Sequence, residues 1–266
     1  MSPSSRLGGH WRTWGAALRA AMPVTGAADW SRYHPYVANS SSDALVIAVD
    51  GPSGSGKSSA SLGVARELGM RYLDTGATYR AITWLVLSHG VDASDGSAVA
   101  ALARGSTVEV STDPANQWVR LDGRDVSREI RTRGVDSNVS AVAVVDEVRE
   151  RLTAMQRSII AAATPGIVAE GRDVGRVVAP DAQLKVYLTA DPQARARRRA
   201  PDRGLTVDVT EADQARRDRL DAAQSAMASD AVLLDTTDMT LEQVIREITK
   251  LARDRSELAC AGDKNS

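Results

Sequence analysis

Apolar residues first gather at Leu45–Asp50 (LVIAVD), without the polar alternation of a half-exposed strand. A run that is short, apolar on both faces and closed by turn residues predicts a buried parallel strand. The period then changes. Between Lys57 and Leu68, Leu62, Ala65 and Leu68 recur at helical spacing, with Gly69 at the C′ position. Arg71–Asp74, Ile167–Glu170, Leu184–Leu188 and Val232–Asp235 predict further strands, with helices between them. The last helix opens TLEQ: Thr240 and Gln243 form a capping box, and Val244, Ile245, Ile248 and Leu251 recur on its inner face. Strands alternating with helices predict an α/β fold, a doubly wound parallel five-stranded sheet with helices on both faces.

Two regions depart from this pattern. From about residue 90 to 137, Thr107–Ser111 and Gln117–Leu121 read as a hairpin around Asp113–Asn116, which predicts a small α+β insertion. Residues 1–43 carry Trp11, Trp14 and Trp30 among many Ser, Gly and Ala. They are expected to be a disordered extension, or the product of a start codon assigned too far upstream; a docking arm is the alternative. Residues 255–266 are expected to be a flexible tail, which leaves 44–254 as the folded domain.

Composition narrows the classes. The net charge of −1 argues against bulk electrostatic binding to nucleic acid or an anionic membrane. No apolar run approaches the roughly 18 residues of a membrane helix. Phe is absent, so Leu, Val, Ile and Ala must build the core. The single Cys260 excludes an internal disulfide or a thiolate zinc site and fits a reducing, cytoplasmic compartment.

The chemistry starts at Gly51-Pro52-Ser53-Gly54-Ser55-Gly56-Lys57-Ser58, which matches G-x-x-x-x-G-K-[ST] between a predicted strand and a predicted helix. Such a loop turns consecutive N–H groups and a helix N-terminus toward an anion. Lys57 reaches the β- and γ-phosphates, and the Ser58 hydroxyl is a ligand for Mg²⁺. The loop alone does not separate GTPases, ATPases and kinases. After the second strand comes Asp74-Thr-Gly-Ala-Thr-Tyr-Arg80, where Thr75 is expected to N-cap the next helix and Arg80 to face an anion near its start. Glu170-Gly171-Arg172-Asp173 closes the Ile167–Glu170 strand. Ligands of open α/β sheets lie beyond the carboxyl ends of the strands, so these groups should converge on one crevice. Two Arg and one Lys around a phosphate loop suggest two phosphorylated ligands end to end, and hence phosphoryl transfer. The Arg195, Arg197, Arg198, Arg199, Arg203 stretch reads as a lid over about 194–210.

Together these residues resemble bacterial cytidylate kinases from Val46 to about Arg253. The shared segments are DGPSGSGKSS, YLDTGATYRA, GRDVSREIRT, VAEGRDVGRVVAPDAQLKVYLTA and LLDTTDMTLEQVI. The resemblance implies a P-loop nucleoside monophosphate kinase: a cytoplasmic monomer that moves a phosphoryl group from ATP to CMP or dCMP with Mg²⁺. It places Gly51 through Ser59 on the ATP side. On the acceptor side it places Thr75 and Arg80 on the nucleotide, Ser140 and Arg149 (on the helix after the insertion) on the cytosine edge, Arg172 on phosphate, Asp173 on the base, and Arg217 with Asp221 on the ribose. Glu170 stands where related kinases keep an acid near the Mg²⁺ waters. The sequence departs from the family at Gln224, where a second substrate Arg is expected, and it lacks an S-P-L segment just after. Those departures leave room for a P-loop kinase with another small phosphate acceptor, or for a nucleotide-binding regulator.

Overall fold

The computed structural model describes residues 44–222 and 224–262; the N-terminal extension and the last four residues lie outside the described residues. Five strands form one parallel sheet: β1 (Leu45–Asp50), β2 (Arg71–Asp74), β6 (Gly166–Gly171), β7 (Leu184–Thr189) and β8 (Val232–Asp235), in the order β2-β6-β1-β7-β8. Strand β1 is central, paired with β6 and β7, and packed on both faces, Ile47 and Val49 in one apolar cluster and Ala48 in another, so all three are fully buried. That double coverage is why the strand reads as an unbroken apolar run.

One face of the sheet is covered by α1 (Lys57–Glu67) and α8 (Leu241–Gly262). Ala60, Val64 and Ala65 of α1 meet Val244, Ile248 and Ala252 of α8 there. The capping box forms: Gln243 N–H donates to Thr240 Oγ1 at 3.3 Å, and Thr240 N–H donates to Gln243 Oε1 at 2.7 Å. Helix α8 continues through residues 255–262, which the sequence assigns to a tail.

The insertion holds α3 (Gly96–Arg104) and an antiparallel three-stranded sheet of β3 (Val108–Val110), β4 (Val119–Leu121) and β5 (Arg124–Asp125). The hairpin is as expected, and β5 is an added strand. The insertion has no core of its own. Val99, Val108, Val119, Leu121 and Ile130 join Ala81, Ile82 and Val86 of α2 (Thr75–Ser88) in one cluster. Then come α4 (Arg133–Ala143) and α5 (Asp146–Ala161), two helices where the sequence reading has one, with Val144 and Val145 between them. Beyond β7, α6 (Pro192–Arg203) and α7 (Val207–Leu220) form a helical hairpin over the expected lid. Among the described residues no helix is long and apolar enough to cross a membrane.

Candidate active site

Three loops meet beyond the carboxyl ends of β1, β2 and β6. The phosphate loop leaves β1 at Gly51, where a Cβ would stand 2.1 Å from the Leu188 carbonyl oxygen. A side chain there would push β7 away, so only glycine fits. The loop ends at Gly56, the N-cap of α1, with φ +90°; no side chain caps the helix, which leaves its first N–H groups pointing into the loop. Lys57 Nζ donates to Pro52 O at 2.9 Å, closing the loop on itself. Burial, and then the charge of Arg172, pull the Lys57 ammonium down to about 8. Ser53 and Ser55 are buried within the loop, while Ser58 and Ser59 are exposed at the start of the helix.

Ser58 Oγ donates to Glu170 Oε1 at 2.6 Å, and Tyr72 OH donates to the same oxygen at 3.2 Å. Burial, and next the nearby Asp74, push the Glu170 carboxyl up to about 7. A hydroxyl beside a carboxylate at a helix N-terminus is a hard-oxygen pair suited to Mg²⁺. Among the described residues no cluster of three or more metal-binding side chains occurs. The fit is therefore to a Mg²⁺ that takes its remaining ligands from phosphates and water.

Thr75 corrects one expectation. The N-cap of α2 is Asp74, whose Oδ1 accepts from Ala77 N–H at 2.9 Å. Thr75 is inside the helix, buried, and its Oγ1 donates to Glu170 O at 2.7 Å, tying α2 to the end of β6. Gln156 Nε2 braces the same turn through Thr78 Oγ1 at 2.9 Å.

Beyond β6, the chain passes through Arg172 and Asp173 into a π-helical turn, Val174–Val178. Asp50, the last residue of β1, clasps that turn: its two oxygens accept from Val174 and Gly175 N–H, each at 2.8 Å. Burial raises the Asp50 carboxyl, and the two N–H donors pull it back.

The arginines are laced with acids. Arg172 pairs with Asp221 at 3.0 Å and Asp218 at 3.5 Å. Arg149 pairs with Asp173 in a short bond and also donates to Ala143 O. Arg80 pairs with Asp136 at 2.6 Å and donates to Ile130 O at 3.2 Å. Arg217 lies 3.7 Å from the same Asp136; burial, and then the charges of Arg80 and Arg172, lower its guanidinium to about 10. The structure thus sets Arg217 3.7 Å from Asp136 and Asp221 3.0 Å from Arg172, with the Asp221 carboxylate also acting on Arg217. Ser140 is buried, and its Oγ makes no hydrogen bond within the described residues.

The Arg-rich stretch divides its work. Arg195 is buried, donating to Ser53 O at 3.0 Å and pairing with Asp218 at 2.5 Å. Arg198 turns away to Thr236 and Met239. Arg199 faces Asp136 at 3.9 Å. Gln224 is half-buried, and its main-chain carbonyl accepts from Arg176 Nη2 at 3.5 Å.

Sequence reasoning missed Asp50, Tyr72, Asp136 and Asp218. Asp50 had a usable signal, an acid at the carboxyl end of the buried strand that feeds the phosphate loop. Asp136 had a fainter one, its place one helical turn before Ser140.

Comparison with known proteins agrees with this geometry. The family model described as cytidylate kinase matches residues 47–254. A cytidylate kinase from Streptomyces avermitilis is 48% identical over 217 residues, covering 80% of this chain and 94% of the relative. One from Streptomyces griseus is 50% identical over 212 residues, 78% and 92% of the two chains. One from Rhodococcus opacus is 47% identical over 225 residues, 81% and 98%. The match extends from β1 into α8 and takes in the whole cleft, phosphate loop and acid-laced arginines together, so the chain belongs to the cytidylate kinase family.

Proposed function

We propose that this chain transfers the γ-phosphoryl group of ATP to CMP or dCMP, giving ADP and CDP or dCDP. The observation that carries the reading is a phosphate loop and a cluster of paired arginines at the same end of one sheet, joined by Arg195 through Ser53 O and Asp218.

The P-loop Gly51–Ser59 holds the ATP phosphates through main-chain N–H groups and Lys57. Lys57 gives up Pro52 O for the phosphoryl oxygens, where negative charge grows in the transition state. Ser58, with Glu170 behind it, would hold Mg²⁺. The ion would supply positive charge against the phosphates. The acceptor is held by Thr75, Arg80, Ser140, Arg149, Arg172, Asp173, Arg217 and Asp221. Cytosine offers an amino donor to Asp173, and its carbonyl and ring nitrogen take donors from Arg149 and the unpartnered Ser140 hydroxyl. Arg172 exchanges an aspartate for the acceptor phosphate and sets it in line with the γ-phosphate. The α6–α7 hairpin serves as the lid, with Arg199 the member of the Arg-rich stretch turned to the acceptor. The resemblance to cytidylate kinases implies a monomer; the single cysteine supports a reducing, cytoplasmic compartment, and the balanced net charge argues against a nucleic acid or membrane partner.

A coupled assay with ATP and CMP, dCMP, UMP or AMP tests this. Turnover on CMP and dCMP is expected. Turnover on a different phosphate acceptor would replace the substrate. Binding without turnover on any acceptor would make the chain a nucleotide-binding regulator.

A further inference from the structure

One carboxylate stands apart because of its neighbours. Asp136 on α4 is 8% exposed, and its Oδ1 lies 2.6 Å from Arg80, 3.7 Å from Arg217 and 3.9 Å from Arg199. Those three guanidiniums come from three elements: α2 of the core, α7, and the lid helix α6. Gathering like charges costs energy unless an anion sits among them. Here the anion belongs to the protein itself. A fixed negative charge that close also weakens the attraction of the same arginines for a ligand phosphate. Arg80 donates Nη1 to Ile130 O and holds Nη2 2.6 Å from Asp136 as an ion pair, so Asp136 and an incoming phosphate draw on the same guanidinium.

We propose that Asp136 is an internal counter-anion: it assembles Arg80, Arg199 and Arg217 into one cluster and competes with the acceptor phosphate for their positive charge. This rests on the reading of Arg80 and Arg217 as acceptor residues. Asp136 therefore sets how tightly the site takes a dianion. Through Arg199, ligand exchange at this carboxylate also reaches the lid helix.

The test is Asp136→Asn in the full chain, which keeps the size and removes the charge. Binding is measured by calorimetry with sulfate as a dianion lacking a base, with CMP, and with cytidine as a neutral control. Sulfate and CMP are expected to bind about tenfold tighter and cytidine equally well, while the melting midpoint without anion falls. Asp136→Glu, which keeps the charge, stays within about twofold of wild type for sulfate. Structural damage alone would weaken binding, so the sign of the change discriminates. A folded asparagine variant that binds sulfate no tighter than wild type overturns the proposal, and so does an equal gain for cytidine. If the asparagine variant folds only when sulfate is present, the counter-anion role is supported; if it is unfolded at every sulfate concentration, the role is overturned. The sulfate arm does not depend on which nucleotide is the substrate. A wild-type chain that ignores CMP while the variant gains sulfate affinity would sink the substrate reading and leave the counter-anion standing.

Discussion

The phosphate loop and the arginine cluster beside it hold anions by different means. The loop uses main-chain N–H groups fixed by glycine turns in nine consecutive residues, Gly51–Ser59, and carries one lysine. The arginine cluster uses side chains from α2, α5, α6, α7 and the turn after β6, and six of its guanidiniums, Arg80, Arg149, Arg172, Arg195, Arg199 and Arg217, already have an aspartate partner. Main-chain donors survive every point mutation except one to proline and need no counter-charge. Guanidiniums brought together repel one another, so they come with acids. The loop therefore suits the polyphosphate common to many kinases, and the ion-paired cluster suits the acceptor that distinguishes them.

The largest effect expected from this contrast is at Lys57. Lys57→Ala removes the only side-chain cation of the loop, and kcat should fall by roughly two to three orders of magnitude with circular dichroism unchanged. Retention of more than about a tenth of kcat would mean that the main-chain donors suffice.

Next comes Asp173→Asn on the arginine side. An ionised carboxylate only accepts hydrogen bonds, whereas the amide can donate to a uracil carbonyl, and Arg149 loses its ion-pair partner. Leaving a buried polar group unpaired costs about 1–3 kcal/mol, so the ratio of kcat/KM for CMP over UMP should drop about 10- to 100-fold. An unchanged ratio removes Asp173 from base reading and leaves it a partner of Arg149 alone.

The two regions should also separate by pH. Lys57 is pulled down to about 8, so its charged form is lost as pH rises through that value; kcat/KM for ATP should then fall about tenfold per pH unit. Arg217 on the acceptor side is lowered only to about 10, so it keeps its charge over that range. Binding of CMP alone, followed by calorimetry, should stay flat to pH 9. Parallel loss of both affinities would contradict the division.

The smallest effect is at Gln224. Gln224→Arg adds a charged fork beside a dianionic acceptor, and KM for CMP should drop about fivefold, the low end for a charged hydrogen bond in a cleft open to water. No change, with the fold intact, would show that this stretch, whose backbone now carries Arg176, no longer faces the acceptor.

The same contrast explains what could be read from the sequence. The five strands and the loop were legible because each is a contiguous run whose pattern and chemistry coincide. Thr75 was misplaced because Asp74 and Thr75 are both good N-caps; the carboxylate one residue earlier reaches Ala77 N–H, which frees the hydroxyl to cross to β6. The break between α4 and α5 escaped because Val144 and Val145 carry no helix-breaking signal. The acids were the larger omission. Asp136 lies 56 residues from Arg80 and 81 from Arg217, and Asp218 lies 46 from Arg172, so nothing local marks them as partners. A resemblance carries over residues that touch substrate more readily than residues that hold those residues in place.

Asp50 has a consequence for attempts to recombine such enzymes. It adjoins the phosphate loop by one peptide bond and fastens the segment after Arg172 and Asp173 by two hydrogen bonds. The two halves of the cleft are therefore not interchangeable cassettes. A chimera that imports another kinase's acceptor segment inherits a turn cut to fit an acid at this one position. Swaps that keep the acid and its two amides in register should graft cleanly, and swaps that shift the turn by one residue should not.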